Sequence, residues 1–129
     1  MTEVPREMRK SRILLVEDDP DIAEALKDVL TDQGHTVQIA RNGLEAIAAL
    51  STGALPQLIF LDLMMPQMDG AQFREAQLGD ARLSRIPVVI VSADRAVEER
   101  ALEMGVDAWL PKPTTPEKLL DAAERFASL

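Results

Sequence analysis

Asp62 ends an apolar run, Leu58-Ile59-Phe60-Leu61, and precedes Leu63-Met64-Met65-Pro66. A carboxylate there sits where a buried strand opens into a loop. Glu17 and Asp18 end a second such run, Ile13-Leu14-Leu15-Val16. If both runs are strands of one parallel sheet, their carboxyl ends share an edge, and the carboxylates of Glu17, Asp18 and Asp62 converge on it. Like charges brought together raise at least one carboxyl pKa and destabilise the sheet edge unless a cation compensates. Glu17, Asp18 and Asp62 are too few for an all-protein calcium cage. They suit Mg2+, which keeps several waters and accepts one or two carboxylates together with phosphate oxygens. Such a cluster is a template for phosphoryl transfer, with Asp62 as the nucleophile, because carboxylates form aspartyl-phosphate intermediates. Lys112 follows a further apolar segment, and its ammonium would neutralise charge on the phosphoryl group from the side opposite the metal. Ser92, at the end of Val88-Val89-Ile90-Val91, would donate a hydrogen bond to a phosphoryl oxygen once one is attached. Neither a GxGxxG nor a GxxxxGK[ST] pattern occurs, so the chain has no nucleotide cradle and must receive its phosphoryl group from another molecule.

These residues need a scaffold that brings strand ends together. Val37–Ala40 and Ala108–Leu110 join the three runs already named as strand candidates. Three of the runs are apolar throughout, as strands covered on both faces are, while Val37-Gln38-Ile39 alternates like an edge strand. Between them lie helically spaced segments. Ile22, Leu26, Val29 and Leu30 share a face after Pro20, and Gly34 ends that helix. Asn42 caps the next, Asp69-Gly70 opens a third, Ser92 or Asp94 caps a fourth that Gly105 stops, and Thr115-Pro116 opens the last. Strand and helix in alternation predict an α/β fold: a parallel sheet with helices on both faces, doubly wound because crossovers are right-handed. Ligands in such sheets bind beyond the carboxyl ends of the strands. The residues there are Glu17-Asp18-Asp19, Arg41-Asn42, Asp62, Ser92-Ala93 and Pro111-Lys112.

The chain of 129 residues suits one domain, and at 47% apolar but 3% aromatic its core must be aliphatic. A net charge of −8 without a basic run argues against nucleic-acid or anionic-membrane partners. The absence of cysteine excludes disulfides and thiolate metal sites. Met1 to Lys10 is polar and lacks the apolar stretch of a secretory signal, and no run approaches a membrane span, so a cytoplasmic location is expected. Residues 1–10 fall outside the strand–helix pattern and are expected to form a tail.

In combination the motifs resemble the receiver domains of two-component response regulators. The resemblance covers about residues 12 to 128. It rests on Ile13-Leu14-Leu15-Val16-Glu17-Asp18-Asp19-Pro20, on Asn42-Gly43, on Leu58 to Gly70 with Asp62 inside, on Pro87-Val88-Val89-Ile90-Val91-Ser92-Ala93, and on Trp109-Leu110-Pro111-Lys112-Pro113. It implies a flavodoxin-like (βα)5 fold with five parallel strands in the order 2-1-3-4-5, occupying residues 11–129. It implies that Asp62 accepts phosphate from the phosphohistidine of a histidine kinase. Asp18, Asp62 and the Met64 carbonyl would bind Mg2+ directly, and Glu17 through water. Lys112 would pair with Asp62 and then with the phosphate. Ser92, with Ala93 beside it, would bind the phosphoryl group, and the aromatic at 109 would turn inward behind Ser92. The Lys112–Pro113 bond would be cis. Two features depart from the common pattern. Trp109 replaces the usual Tyr or Phe, and its larger indole limits burial behind Ser92. Met64 and Asp94 occupy positions that in this family tune phosphoryl lifetime.

The resemblance implies a signalling switch rather than an enzyme, a monomer or weak dimer, with output by contact to an unidentified downstream protein. A phosphorelay intermediate, or a receiver from a larger regulator or hybrid kinase, is the alternative. A haloacid-dehalogenase-type hydrolase is a remote one, because Met64 stands where that class carries a second Asp. The simpler reading of Asp18-Asp19-Pro20 is a helix cap. The simplest reading of Lys112 is a solvated lysine, and that of His35 an exposed loop residue.

Overall fold

The computed structural model describes residues 10–127. The expected tail therefore lies outside the described residues except for Lys10, which is exposed. The strands are β1 (Arg12–Val16), β2 (Thr36–Ala40), β3 (Leu58–Leu61), β4 (Val88–Ser92) and β5 (Ala108–Pro111). They alternate with α1 (Pro20–Asp32), α2 (Gly43–Leu50), α3 (Gly70–Leu78), α4 (Val97–Met104) and α5 (Pro116–Phe126). All strand pairs are parallel, in the order β2-β1-β3-β4-β5. The doubly wound parallel sheet is the one the alternation predicts, and its strand order is the flavodoxin-like order that the resemblance implies.

Side chains alternate across the sheet. Ile13, Leu15, Leu58, Phe60, Val89 and Val91 face α1 and α5, where Ala23, Leu26, Leu30, Leu119 and Ala123 meet them. Leu14, Val16, Ile59, Leu61 and Val88 face α2 and α3, against Ala46, Leu50 and Phe73. Ile90 and Leu63 lie under α4, with Val97 and Ala101. β3 and β4 are buried along their whole length, and β1 at every residue after Arg12, whereas the edge strands β2 and β5 expose alternate residues. Apolar continuity thus tracks position in the sheet. Among the described residues no helix is long and apolar enough to cross a membrane.

Most caps fall where the sequence puts them. Asp19, Asn42, Asp69 and Thr115 accept backbone N–H groups at the starts of α1, α2, α3 and α5, and Asp69 forms a reciprocal capping box with Gln72. The start of α4 differs from expectation. Neither Ser92 nor Asp94 caps it. Ala96 holds the N-cap position and no side chain bonds to the helix start. The Asp94 carboxylate instead accepts the Ala96 N–H at 2.8 Å, closing a turn ahead of the helix. The chain needs those residues to leave the sheet, so the acid acts too early to cap. His35 also departs from expectation. It is half-buried, and its Nδ1 accepts the Ser11 N–H at 3.1 Å. Burial holds its pKa below the ordinary histidine value.

Candidate functional site

Strand register brings the polar residues together. Val16 pairs with Leu61 and with Ala40, Leu61 pairs with Ile90, and Ser92 pairs with Pro111. The next residue of each strand therefore emerges at one edge. Backbone bonds extend the ladders by one step there: Asp62 N–H to Val16 O and Lys112 N–H to Ser92 O, each at 2.9 Å.

At that edge one carboxylate oxygen from each of Glu17, Asp18 and Asp62 lies within 4.8 Å of the others. Glu17 and Asp62 are only 2% and 6% exposed, and Asp18 is the more open of the three. The acidic run divides its labour. Asp19 caps α1 through the N–H groups of Asp21 and Ile22, at 2.9 and 3.2 Å, so the helix-cap reading holds for Asp19, while Asp18 joins the cluster.

Lys112 is not a solvated lysine. Its Nζ contacts Glu17 Oε1 most closely and lies 3.4 Å from Asp62 Oδ2. The sequence reading pairs Lys112 with Asp62 and misses the tighter partner. Glu17 Oε2 also accepts the Asp19 N–H at 3.1 Å, so both its oxygens have donors. Burial raises the Glu17 pKa above the carboxylate range, and the bonds from Lys112 and Asp19 only partly offset this. The rise foreseen from like charges is present, but burial outweighs repulsion from Asp62 as its cause. For Lys112, burial works against the ammonium, and the pairing with Glu17 and Asp62 overcomes it and lifts the pKa.

The loop carrying Asp62 is held from two sides. At the start of α3, a Cβ on Gly70 would stand 2.6 Å from the Asp62 carbonyl oxygen and 2.9 Å from Leu63 Cα, so only glycine lets the helix approach this closely. The Gly70 N–H donates to Leu63 O at 3.0 Å. From α2, Gly43 N–H donates to Met68 O at 3.0 Å and Asn42 Nδ2 to Gln67 Oε1 at 3.2 Å, with Gln67 at a φ of 66°. Sequence reasoning finds Asn42-Gly43 as a helix start but not as a brace for the Asp62 loop, because that contact spans 25 residues.

Ser92 is buried, and its Oγ accepts the Asp94 N–H at 3.1 Å. Ala93 is exposed beside it. Asp94 reaches Arg100 at 3.8 Å. The Met64 side chain is 69% exposed, so this residue offers the cluster only its backbone. Trp109 stands on the edge strand, 37% exposed. The Lys112–Pro113 bond is cis, as expected. An open cleft of about 460 Å³ lies beside the cluster, bordered by Asp18, Met64, Asp69 and Arg100.

A deliberately positioned set of hard oxygen donors, a carbonyl-bearing loop and an opposing ammonium fits a small divalent cation and an oxyanion together. The family model for the response regulator receiver domain matches residues 13–124, and the chain belongs to that family. Response regulator MprA of Mycobacterium ulcerans is 36% identical over 113 residues, 84% of this chain and 47% of that protein. The chain spans about half the length of the curated relatives it matches. Among solved structures, the receiver domain of a histidine kinase from Syntrophus aciditrophicus is 36% identical with a TM-score of 0.82, covering 91% of this chain and 89% of that one. The Mn(2+)-bound form of response regulator Rcp1 is 30% identical with a TM-score of 0.73, covering 89% and 90%. Receiver domains act as signalling switches, and response regulators partner with histidine kinases in two-component systems. The hydrolase alternative has no support in this family or in the exposed Met64 at its second Asp position.

Proposed function

We propose that Asp62 accepts a phosphoryl group from the phosphohistidine of a histidine kinase, with Mg2+ as cofactor, and that the charged domain, residues 11–129, signals by protein–protein contact. The observation that carries this reading is the meeting of Glu17, Asp18 and Asp62 within 4.8 Å, opposite the Lys112 ammonium. An Asp62 carboxylate oxygen forms a bond to phosphorus while the phosphorus–nitrogen bond of the phosphohistidine breaks, and the imidazole nitrogen leaves with the electron pair. Asp18, Asp62 and the Met64 carbonyl would hold the ion, with Glu17 acting through water. Bound Mg2+ supplies charge neutralisation on the transferring group. The manganese-bound state of Rcp1 supports a divalent ion in this setting.

Lys112 is positioned to follow the charge. It already contacts Glu17 and Asp62, and a phosphoryl group on Asp62 presents new oxygens to the same ammonium. The Ser92 hydroxyl uses its oxygen to accept the Asp94 N–H, which leaves its hydrogen free to donate to a phosphoryl oxygen, with Ala93 alongside. Phosphorylation adds about −1.5 to −2 charges at the sheet edge. Ser92 and Trp109 carry the response toward α4, β5 and α5. Met64 and Asp94 flank the entrance and set how readily water reaches the acyl phosphate. The protein works in the cytoplasm as a monomer or weak dimer.

The test is intact mass after incubation with Mg2+ and acetyl phosphate or phosphoramidate. Wild type gains one phosphoryl group, and Asp62→Asn gains none. Equal uptake by both proteins would place the acceptor elsewhere.

A further inference from the structure

A second polar cleft, of about 420 Å³, lies at the opposite pole of the sheet. Pro87, just before β4, and Asp107, just before β5, border it, together with the flank of α3 and the end of α5. β4 spans five residues between this pole and Ser92, so roughly 16 Å of strand separates the cleft from the acidic cluster. Among the described residues its charged lining is Arg74, Arg85 and Arg125 against the carboxylate of Asp107. In a chain of net charge −8 this is a local inversion of sign.

Arg74 gives the cleft its character. It is only 8% exposed, yet its direct partners are all neutral: Met104 O at 3.1 Å, Gly105 O at 2.8 Å and Gln77 Oε1 at 2.8 Å. A buried cation is normally matched by an anion. Among the described residues no carboxylate lies within ion-pair distance of Arg74, and Asp107 acts on it only at longer range. The Asp107 carboxylate is itself engaged by the Val88 N–H at 2.9 Å. Arg85 and Arg125 are exposed. Arg125 lies over one face of the Phe126 ring, 5.0 Å from its centre.

We propose that this cleft binds a phosphate-class oxyanion, held by the forked donors of Arg85 and Arg125 and drawn by the buried charge of Arg74. Planar guanidinium forks match phosphate oxygens in pairs. The polar lining disfavours an apolar ligand, and the arginine lying over the Phe126 ring competes with a stacked base. The site is independent of phosphorylation at Asp62.

The test is an amide NMR titration of the full chain, free of divalent ions and at constant ionic strength, with sodium phosphate in one arm and sodium pyrophosphate in the other. Saturable shifts at Ser84, Arg85, Gly105 and Asp107 are expected, weakened about tenfold or more in Arg85→Gln/Arg125→Gln. Arg85→Lys, which keeps the charge but loses the fork, should fall between the two. Tighter binding of pyrophosphate identifies a polyphosphate ligand, and tighter binding of phosphate a monophosphate. Shifts that never saturate, that persist unchanged in the double variant, or that appear only around Asp62 and Lys112 overturn the proposal. The last pattern would report anion affinity of the acidic site instead. Both substituted residues are exposed, so the variants should melt as wild type does.

Discussion

Removing the ammonium at position 112 is the most direct trial of the electrostatic argument. Lys112→Met keeps an apolar stem of similar length and deletes the charge. Glu17 and Asp62, 2% and 6% exposed, then face each other without their shared cation. With oxygens within 4.8 Å, two unit charges at an effective dielectric of about 20 repel by ~3.5 kcal/mol. The chain has one relief, protonation of Glu17. From the ordinary value of 4.5, holding that proton at pH 7 costs ~3.4 kcal/mol, and less here because burial already lifts the Glu17 pKa. The two routes bound the loss, which should come to about 2–3 kcal/mol at neutral pH, at or just below the cost of breaking a buried pair.

The pH dependence follows from the same shift. The folded pKa of Glu17 lies above its unfolded value, so the native state holds the proton more tightly. That contribution to stability is fully present below 4.5 and is lost as pH rises through the folded value. Lys112 lowers the Glu17 pKa, so its removal raises that pKa further and widens the window. Urea unfolding of both proteins between pH 4.5 and 8 should show a deficit that shrinks toward acid and grows as pH rises through the folded Glu17 pKa. Saturating Mg2+ at about 100 times its Kd should add ~2.7 kcal/mol to wild type. A variant as stable as wild type at pH 7, or a deficit that does not change with pH, would refute the reasoning.

Gly70→Ala should cost about 1–3 kcal/mol, because its Cβ would press within 2.6 Å of the Asp62 carbonyl oxygen. Labelling by acetyl phosphate should fall with it although no ionisable group changes, and full labelling would mean that the loop yields without moving Asp62. For His35, the folded pKa is lowered, so its contribution is present above 6.5 and is lost as pH falls through the folded value. His35→Gln should flatten the stability slope of wild type just below pH 6.5, and identical slopes would assign that dependence to other groups. Gln77→Leu strips Leu83 O and Ile86 O of their shared donor and Arg74 of an acceptor. It should lower stability by ~2–4 kcal/mol, while Asp62 labelling in a thermally intact sample persists.

Local chemistry made much of this protein legible in its sequence. Uninterrupted apolar runs marked β1, β3 and β4, because strands covered on both faces have no polar side to show. Short polar side chains with strong capping chemistry marked the starts of α1, α2, α3 and α5. The acids after β1 and β3 announced a site because a parallel sheet gathers strand ends at one edge. The sequence therefore determined the elements, the edge that carries the polar groups, and the identity of Asp62, Asp18 and Lys112 as the residues to inspect.

Tertiary structure decided which of those groups meet and on what terms. Register set Glu17, rather than Asp62, as the nearest partner of Lys112. Close approach of α3, not any turn preference, required glycine at position 70. The loop geometry after β4 took Asp94 away from the helix start, and the packing of His35 beside Ser11 moved it from solvent into a half-buried contact. Arg74 and Gln77 are polar side chains in the middle of α3, yet the fold buries both against distant carbonyls. Each of these depends on atoms far apart along the chain, whose separation is fixed only once the helices have docked on the sheet.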